Sequence, residues 1–131
     1  MSEDAEELAG ALAEGRLWVA DVHGEQVGFA LATVLDGCAH VHEIDVLPGH
    51  GRQGLGRALV NAVCAWAEGQ HFPAVTLSTR MDVPFNGPFY ARLGFAVLPD
   101  AQLTPGLQRL REGEAARGLD VDRRAIMRRL L

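Results

Sequence analysis

Residues 46–57 of this chain read Val-Leu-Pro-Gly-His-Gly-Arg-Gln-Gly-Leu-Gly-Arg, and they decide how the other segments are interpreted. The stretch joins a predicted strand to a predicted helix with an apolar face. The first amides of a helix have no partner within it and lie at the positive end of its dipole, so they can bind an anion. Glycines at 54 and 56 let phosphate oxygens approach the backbone, and Arg52 and Arg57 add positive charge at the rim.

Hydrophobic periodicity and turn residues predict an α+β fold for the whole chain. Three strands come first, and Asp36-Gly37 is a strong signal for a two-residue hairpin, so these strands form an antiparallel meander. The strand–helix–strand unit that follows predicts a parallel pair with a right-handed crossover. The predicted helices span residues 3–14, 55–69, 86–94 and 103–117, and the predicted strands span 17–22, 26–34, 39–46, 74–78, 95–98 and 125–130. Asp4 and Glu7 predict a capping box at the first helix, and Asn86 is expected to cap the third, with Pro88 in its first turn. We expect a mixed, mainly antiparallel twisted sheet flanked by helices, in a single domain over residues 1–131.

Composition and charge narrow the class of protein. The chain is 48% hydrophobic and 22% charged, which is typical of a globular domain. No apolar run approaches the roughly 18 residues that a membrane-spanning helix needs. A net charge of −5 argues against nucleic acid as a partner, because such binding needs a basic face. The acidic start differs from the basic start of a secretory signal. Two distant cysteines, Cys38 and Cys64, predict free thiols in a reducing compartment, so we expect a cytoplasmic protein.

The glycine-rich stretch by itself leaves several interpretations open. It fits a tight connection whose glycines serve turn geometry. Gly49, Gly51 and Gly54 also match the G-x-G-x-x-G pattern of dinucleotide-binding folds. That match is weak, because the preceding residues 40–46 are too polar for a buried parallel strand and no acidic residue closes the next strand. A Walker loop is excluded, since no Gly-Lys-Ser/Thr sequence follows.

Residues 50–59, His-Gly-Arg-Gln-Gly-Leu-Gly-Arg-Ala-Leu, closely resemble the pyrophosphate loop of the GNAT family of N-acetyltransferases. That family places Arg/Gln-x-x-Gly-x-Gly/Ala at a strand-to-helix junction. Gly51 stands here where arginine or glutamine is usual, with Arg52 beside it, and binding through backbone amides is expected to survive this change. Residues 86–95 resemble the second marker of the family, an Asn followed by Phe-Tyr and then Gly-Phe. The resemblance covers roughly residues 17–98.

The resemblance implies acetyl-CoA as co-substrate. Its pyrophosphate would lie on the glycine loop, and its pantetheine arm would pair with the end of strand 39–46, in a V-shaped gap beside residues 74–78. A neutral amine then attacks the thioester directly, with no metal and no covalent enzyme intermediate. The residues expected to contact acetyl-CoA are Ile44, Asp45, Val46, Gly51, Arg52, Gln53, Gly54, Leu55, Gly56, Arg57, Asn86, Phe89 and Tyr90.

Two proton transfers need side chains. The resemblance assigns Tyr90 as the acid that protonates the departing thiolate. Glu43, on the strand with the oxyanion-binding amides, is our candidate base, directly or through water, and a solvated strand carboxylate is the equally weighted alternative. Asp45 shares its face and is suited to attract a cationic amine. His40 and His42 alternate on the same strand, but no third ligand accompanies them, so we expect no metal site.

The resemblance fails at the N-terminus, where family members usually have one more strand and one more helix. Two interpretations follow: the start is truncated or misassigned, or a partner chain covers the exposed sheet edge, as in a homodimer. The acceptor is expected to be an amine on a small molecule or on a protein. The alternative function is a catalytically degenerate CoA-binding regulatory module of the same fold.

Overall fold

The structure, a computed structural model, describes residues 5–50, 54–83 and 86–131. In these residues six strands form one mixed sheet, flanked by four α-helices. The helices are α1 (Ala5–Ala13), α2 (Leu55–Gly69), α3 (Gly87–Arg92) and α4 (Pro105–Ala116). The strands are β1 (Leu17–Val22), β2 (Glu25–Leu35), β3 (Cys38–Val46), β4 (Ala74–Arg80), β5 (Ala96–Val97) and β6 (Arg124–Leu130). The sheet order is β1-β2-β3-β4-β6-β5, and only β3 and β4 pair in parallel among the described strands.

Two-residue turns fix the register of the β1–β2–β3 meander. His23-Gly24 connects β1 to β2, and Asp36-Gly37 connects β2 to β3. All four residues have positive φ, from 51° at Asp36 to 82° at Gly24. This is the geometry of a type I′ turn, whose twist matches that of the flanking strands. The hairpin predicted at Asp36-Gly37 is confirmed.

Apolar side chains pack on both faces of the sheet. On one face, α2 and α3 cover the larger core, which includes Ala30, Val41, Val60, Val63, Val75, Leu77 and Met127. On the opposite face, α4 covers a smaller core of Leu98, Leu103, Leu107 and Ile126, and α1 lies against β1 and β2. Alternate strand residues therefore belong to different layers, as the period of two in a strand requires. The predicted arrangement of helices on both faces is confirmed.

The tip of the second hairpin holds α4 in place. The Gly106 amide donates a hydrogen bond to Asp36 Oδ2 at 2.7 Å, and a Cβ on Gly106 would lie 2.6 Å from that oxygen. A side chain at this position would therefore displace the contact. Farther along α4, buried Glu114 accepts a hydrogen bond from Ser78 Oγ at 2.7 Å and lies 3.3 Å from Arg124 Nη2. These contacts join α4 to the β2–β3 turn, β4 and β6.

The predicted helix over residues 103–117 begins later than expected. Asp100–Gln102 form a separate 3-10 turn, and α4 starts at Pro105. Thr104 is its N-cap, with Oγ1 accepting a hydrogen bond from the Leu107 amide at 3.4 Å. A threonine followed by proline at the first helical position is a common helix start, and this signal outweighs the apolar periodicity that extends upstream.

Two strand predictions also change. The strand predicted over residues 95–98 shortens to Ala96–Val97, with Phe95 in the larger core and Leu98 in the smaller one. β4 runs on to Arg80, beyond the predicted end at Ser78, and pairs with β6 along its whole length. The capping box expected at Asp4 lies outside the described residues. None of the helices in the described part of the chain combines the length and the apolar character that a bilayer crossing needs.

Candidate functional site

β3 and β4 separate after two paired positions. The parallel ladder joins Ala39 to Val75 and His40 to Thr76, and within the described residues it extends no further. β3 nevertheless continues to Val46, and β4 continues in the same direction beyond Thr76. The two strands therefore leave a gap at the centre of the sheet, open toward their carboxyl ends. The gap coincides with the one that the sequence analysis predicts.

The backbone groups of Ile44 and Val46 face this gap. The Leu47 amide donates to the Val27 carbonyl at 2.8 Å, which makes this a hydrogen-bonded pair of the antiparallel ladder. Such pairs alternate along the strand with pairs whose N–H and C=O groups point the other way. Ile44 and Val46 occupy the alternate positions, so their N–H and C=O groups point away from β2 and toward β4.

A β-bulge at His42 interrupts the alternation of β3. The register pairs Leu31 with Glu43 but Ala32 with Val41, so His42 is an extra residue on β3. If the strand alternated regularly with His42 in place, Glu43 would lie on the same face as Val41, in the core beneath α2. The bulge shifts the phase of every β3 side chain that follows.

The shifted phase sorts four residues onto two faces. Ile44 and Val46 pack against the larger core beneath α2. Glu43 and Asp45 lie on the opposite face, where α1 is located. Asp45 is exposed, and Glu43 is partly buried. Along residues 43–46, the residues that carry carboxylates therefore alternate with the residues whose backbone groups face the gap.

The two histidines of β3 lie in different surroundings. His40 is buried, and its Nδ1 lies 2.8 Å from Thr76 Oγ1. Burial, and then the charge of nearby His42, lower the pKa of His40 to about 4, so its ring is neutral at physiological pH. His42 is exposed and sits at the bulge, where the alternation assumed from the sequence breaks. No group of three or more His, Cys, Asp or Glu side chains that could hold a metal occurs in the described residues.

Helix α2 begins at a glycine with left-handed geometry. Gly54 is at the N-cap position with φ of 75° and supplies no side chain to cap the first amides. Gly56, in the first turn, approaches α3, since a Cβ on it would lie 3.5 Å from the ring of Phe89. The two sequence motifs, the glycine loop and the Asn–Phe–Tyr segment, therefore meet at the start of α2.

The remaining loop residues are only partly described. The predicted contacts Gly51, Arg52 and Gln53 lie outside the described residues. Leu55 is partly buried and Arg57 is exposed, so the guanidinium of Arg57 is accessible from solvent at the first turn of α2. An exposed cation and first-turn amides that have no partner within the helix together favour an anion at this position.

Helix α3 starts at Asn86, but the expected side-chain cap is absent. Asn86 has φ of −113° and ψ of −97°, and its side chain makes no capping hydrogen bond. A side-chain cap needs an extended backbone at the N-cap residue, which these angles do not provide. The first helical hydrogen bond is made by the backbone, from the Tyr90 amide to the Asn86 carbonyl at 2.9 Å. Pro88 lies in the first turn, as predicted.

Tyr90 lies on the α2 face of the sheet and is 8% exposed. Its ring packs edge-on against Phe89 and Phe95, with centroid distances of 5.2 and 5.9 Å. Burial raises the pKa of the Tyr90 hydroxyl above its ordinary value, so the group keeps its proton at neutral pH. Burial also raises the pKa of the Cys64 thiol in the same core, which favours a packing role over a nucleophilic one.

A cavity of about 530 Å³ opens on the α1 face of the meander. Glu43 and Asp45 line it as acidic groups, with Gln26 as a further polar residue. Its apolar walls come from α1, β1, β2 and the residue after β3: Leu8, Leu17, Val19, Val27, Phe29 and Leu47. This cavity was not predicted from the sequence, because no single segment forms it. The available signal was the alternation of apolar residues in β1 and β2, but the bulge hid their phase relative to β3.

Comparison with known proteins gives a family match over most of the chain. Residues 2–95 match the model of the Acetyltransferase (GNAT) family. The match includes the glycine loop, the β3–β4 gap and the Asn–Phe–Tyr segment that the two motifs identified.

Solved structures of low sequence identity share the fold. N-acetylglutamate synthase from Neisseria gonorrhoeae, complexed with coenzyme A and N-acetyl-glutamate, aligns with a TM-score of 0.76 at 17% identity, over 100% of this chain and 28% of the synthase. A GNAT acetyltransferase from Staphylococcus aureus MU50 gives 0.75 at 19%, over 96% of this chain and 75% of that one. The ribosomal-protein-S18-alanine N-acetyltransferase from Escherichia coli gives 0.63 at 21%, over 99% and 91%. The chain thus spans under a third of the gonococcal synthase, and these similarities confirm the predicted fold class.

Proposed function

Because the chain belongs to the acetyltransferase (GNAT) family, we propose that it is an acetyl-CoA-dependent N-acetyltransferase that acts as one domain over residues 1–131. The observation that carries this proposal is the gap between β3 and β4, with the backbone groups of Ile44 and Val46 facing it. An extended arm with amide groups can add to an unpaired strand edge and form main-chain hydrogen bonds. The pantetheine arm of acetyl-CoA has this character.

The start of α2 is the proposed position of the pyrophosphate. The first-turn amides after Gly54, the glycine at position 56 and the exposed Arg57 supply donors, close backbone approach and charge. Gly51, Arg52, Gln53 and Leu55 complete the proposed loop, and Asn86 and Phe89 border it from α3. Since a side chain at Gly56 would meet the ring of Phe89, a molecule bound at the loop would lie next to α3.

The proposed chemistry is a direct attack on the thioester. The amine nitrogen forms a bond to the acetyl carbon, and the oxygen that becomes negative accepts a hydrogen bond from a backbone amide of the Ile44–Val46 segment. The carbon–sulfur bond then breaks. Glu43 accepts the first ammonium proton before the attack, directly or through water, so that the nitrogen attacks as a neutral amine. As the carbon–sulfur bond breaks, the thiolate takes a proton from Tyr90, and the second proton that the nitrogen loses restores the Tyr90 hydroxyl. Glu43 and Tyr90 lie on opposite faces of the sheet, which matches an acceptor that enters on one face and a thiol that leaves on the other.

The acceptor and the cellular setting are parts of the same proposal. The proposed acceptor is a primary amine on a small molecule or on a protein, and the solved structures with this fold include enzymes named for an amino-acid product and for a ribosomal protein. We place the protein in the cytoplasm, which is supported by two cysteines, Cys38 and Cys64, that form no disulfide.

Thiol release tests the proposed reaction. Acetyl-CoA is expected to raise Tm, with NAD as a negative control, because a ligand that binds only the folded state stabilises it. A panel of primary amines is then expected to release CoA thiol, detected with a chromogenic disulfide, in stoichiometric amount with acetylated amine measured by mass spectrometry. A rise in Tm without thiol release for any amine would replace the enzyme with a CoA-binding regulatory module. A rise in Tm with NAD instead of acetyl-CoA would contradict both the enzyme and the CoA-binding module.

The base assigned to Glu43 is tested by Glu43→Gln. The variant is expected to lower kcat/KM at pH 7 by about tenfold, because an amine with a pKa near that of lysine, about 10.4, must lose a proton before it attacks. The loss is expected to shrink as the pH approaches that value, because the free amine then needs no base. Glu25→Gln, on an exposed strand carboxylate, is the matched control and should leave kcat/KM unchanged. An equal loss at every pH would assign Glu43 a binding role instead.

A further inference from the structure

The cavity on the α1 face identifies the class of acceptor. We infer that it binds a small, cationic primary amine carried on an uncharged apolar body, with the amine at Glu43 and Asp45 and the body between β1, β2 and α1. The inference rests on the proposed acetyl transfer, and it names the substrate class for that same site. It excludes acceptors that carry a carboxylate at the far end of the molecule.

The walls of the cavity account for the apolar body. Leu17 and Val19 of β1 and Val27 and Phe29 of β2 line this side of the sheet, and Leu8 of α1 completes the wall. Val19 is 47% exposed, so its side chain is accessible from the cavity. A ligand there would remove apolar surface from water, at about 25 cal/mol for each Å². The volume of about 530 Å³ lies in the range typical of small-molecule sites.

The charges at the cavity account for the cation. Its lining includes two carboxylates, Glu43 and Asp45, and no Lys, Arg or His among the described residues. An ammonium group is therefore attracted. A carboxylate on the ligand would be repelled by Glu43 and Asp45 and would lose its hydration against the apolar walls. Charge complementarity thus favours a cationic amine over a neutral or an anionic one.

The position of the carboxylates accounts for the reaction. Along β3, Glu43 and Asp45 alternate with Ile44 and Val46, whose backbone groups face the gap. Consecutive strand residues are about 3.3 Å apart. An amine held by the two carboxylates would therefore lie beside the strand residues that are proposed to bind the thioester carbonyl. A cavity elsewhere on the sheet would not give this proximity.

A series of unbranched amines tests the inference on the wild-type protein. Ethylamine, butylamine and hexylamine are compared with 6-aminohexanoate by thiol release at saturating acetyl-CoA. The kcat/KM is expected to rise about fourfold for each added methylene, which is the factor that burial of a methylene supplies. Hexylamine is expected to exceed 6-aminohexanoate by at least about tenfold, and Asp45→Asn should reduce that difference.

Val19→Lys places a bulky cation in the cavity, and Val34→Lys is its matched control. The two valines are equally exposed, at 47% and 48%, and both lie in strands, but Val34 does not line the cavity. Val19→Lys is expected to lower kcat/KM for hexylamine at least about tenfold and to leave the KM for acetyl-CoA unchanged. Val34→Lys is expected to change neither constant. The selectivity of the wild-type protein decides the question even if Val19→Lys does not fold.

The outcomes separate this inference from the reaction it rests on. If amines are acetylated but kcat/KM does not depend on chain length or terminal charge, the proposed acceptor class is wrong and the proposed acetyl transfer is retained. If no amine in the panel is acetylated although acetyl-CoA binds, both are wrong. A second copy of the chain is the rival occupant of this cavity. Light scattering of the wild-type and Val19→Lys proteins tests it by measuring their oligomeric state. A dimer that Val19→Lys dissociates, with amine selectivity unchanged, would make this face a contact between copies and overturn the inference.

Discussion

Tyr90→Phe is expected to lower kcat by at least tenfold, toward the roughly 10²-fold that one positioned acid contributes, with the Kd for acetyl-CoA unchanged. The departing thiolate has a conjugate pKa of about 8.5, by analogy with cysteine, and accepts a proton readily as the carbon–sulfur bond breaks. Tyr90 holds its proton at neutral pH, since burial raises the pKa of its hydroxyl. Phenylalanine keeps the ring contacts with Phe89 and Phe95 and removes only the oxygen. Stopped-flow thiol release gives kcat, and calorimetry gives Kd.

The composition of the chain provides an independent check on this residue. Tyr90 is the only tyrosine in the sequence, so the ultraviolet absorbance of tyrosinate reports on it alone. Its titration midpoint is expected above the ordinary pKa of a tyrosine, as burial requires. Unchanged turnover in Tyr90→Phe would remove Tyr90 from the acid role. A large fall in Tm or in acetyl-CoA affinity would instead make its role structural.

Gly56→Asp is expected to weaken acetyl-CoA binding by about 100-fold or more. The substitution puts a carboxylate into the first turn of α2, where the pyrophosphate is proposed to lie, and like charges about 4 Å apart repel by several kcal/mol near a protein surface. The helix itself should tolerate the change. A Cβ at this position makes an ordinary contact of 3.5 Å with Phe89, and an acidic residue in the first turn interacts favourably with the helix dipole. Calorimetry with acetyl-CoA measures the affinity, and thermal unfolding measures the stability.

The matched control is the same substitution at the other end of the same helix. Gly69 is exposed, and a Cβ there meets no atom within 4 Å. Gly69→Asp is expected to leave acetyl-CoA affinity unchanged and to lower stability slightly, because an acidic residue is unfavourable at a helix C-terminus. Gly56→Asp should therefore lower the affinity for acetyl-CoA without a loss of stability, whereas Gly69→Asp should lower stability slightly without a loss of affinity. Equal affinities in Gly56→Asp and wild type would place the pyrophosphate elsewhere.

Features that depend on neighbouring residues were predictable from the sequence. The Asp36-Gly37 hairpin is specified by a two-residue turn signal, and α2 ends at Gly69 as its apolar periodicity indicates. The divergence of β3 and β4 followed from the family resemblance. In each case the deciding interaction lies within a few residues or within a motif of fixed spacing, so one sequence contains enough information.

Features that depend on distant contacts were not predictable. The bond between Asp36 and the Gly106 amide joins residues 70 positions apart, and neither residue type alone indicates the other. The expected side-chain cap at Asn86 fails because the backbone enters α3 with other angles. The cavity needs three strands and α1 in one arrangement. Such contacts are set by tertiary packing, which overrides local preference.

The bulge on β3 makes the site depend on the number of residues as well as on their identity. Loss of His42 would remove the extra residue together with the bulge, so Glu43 would still oppose Leu31 and the faces of residues 43–46 would be kept. Loss of Ile44 would instead put Asp45 at the core-facing position beneath α2. A carboxylate cannot be buried there unpaired without a large cost in stability. Along this strand the cost of losing one codon therefore depends on whether that codon lies at the bulge or after it.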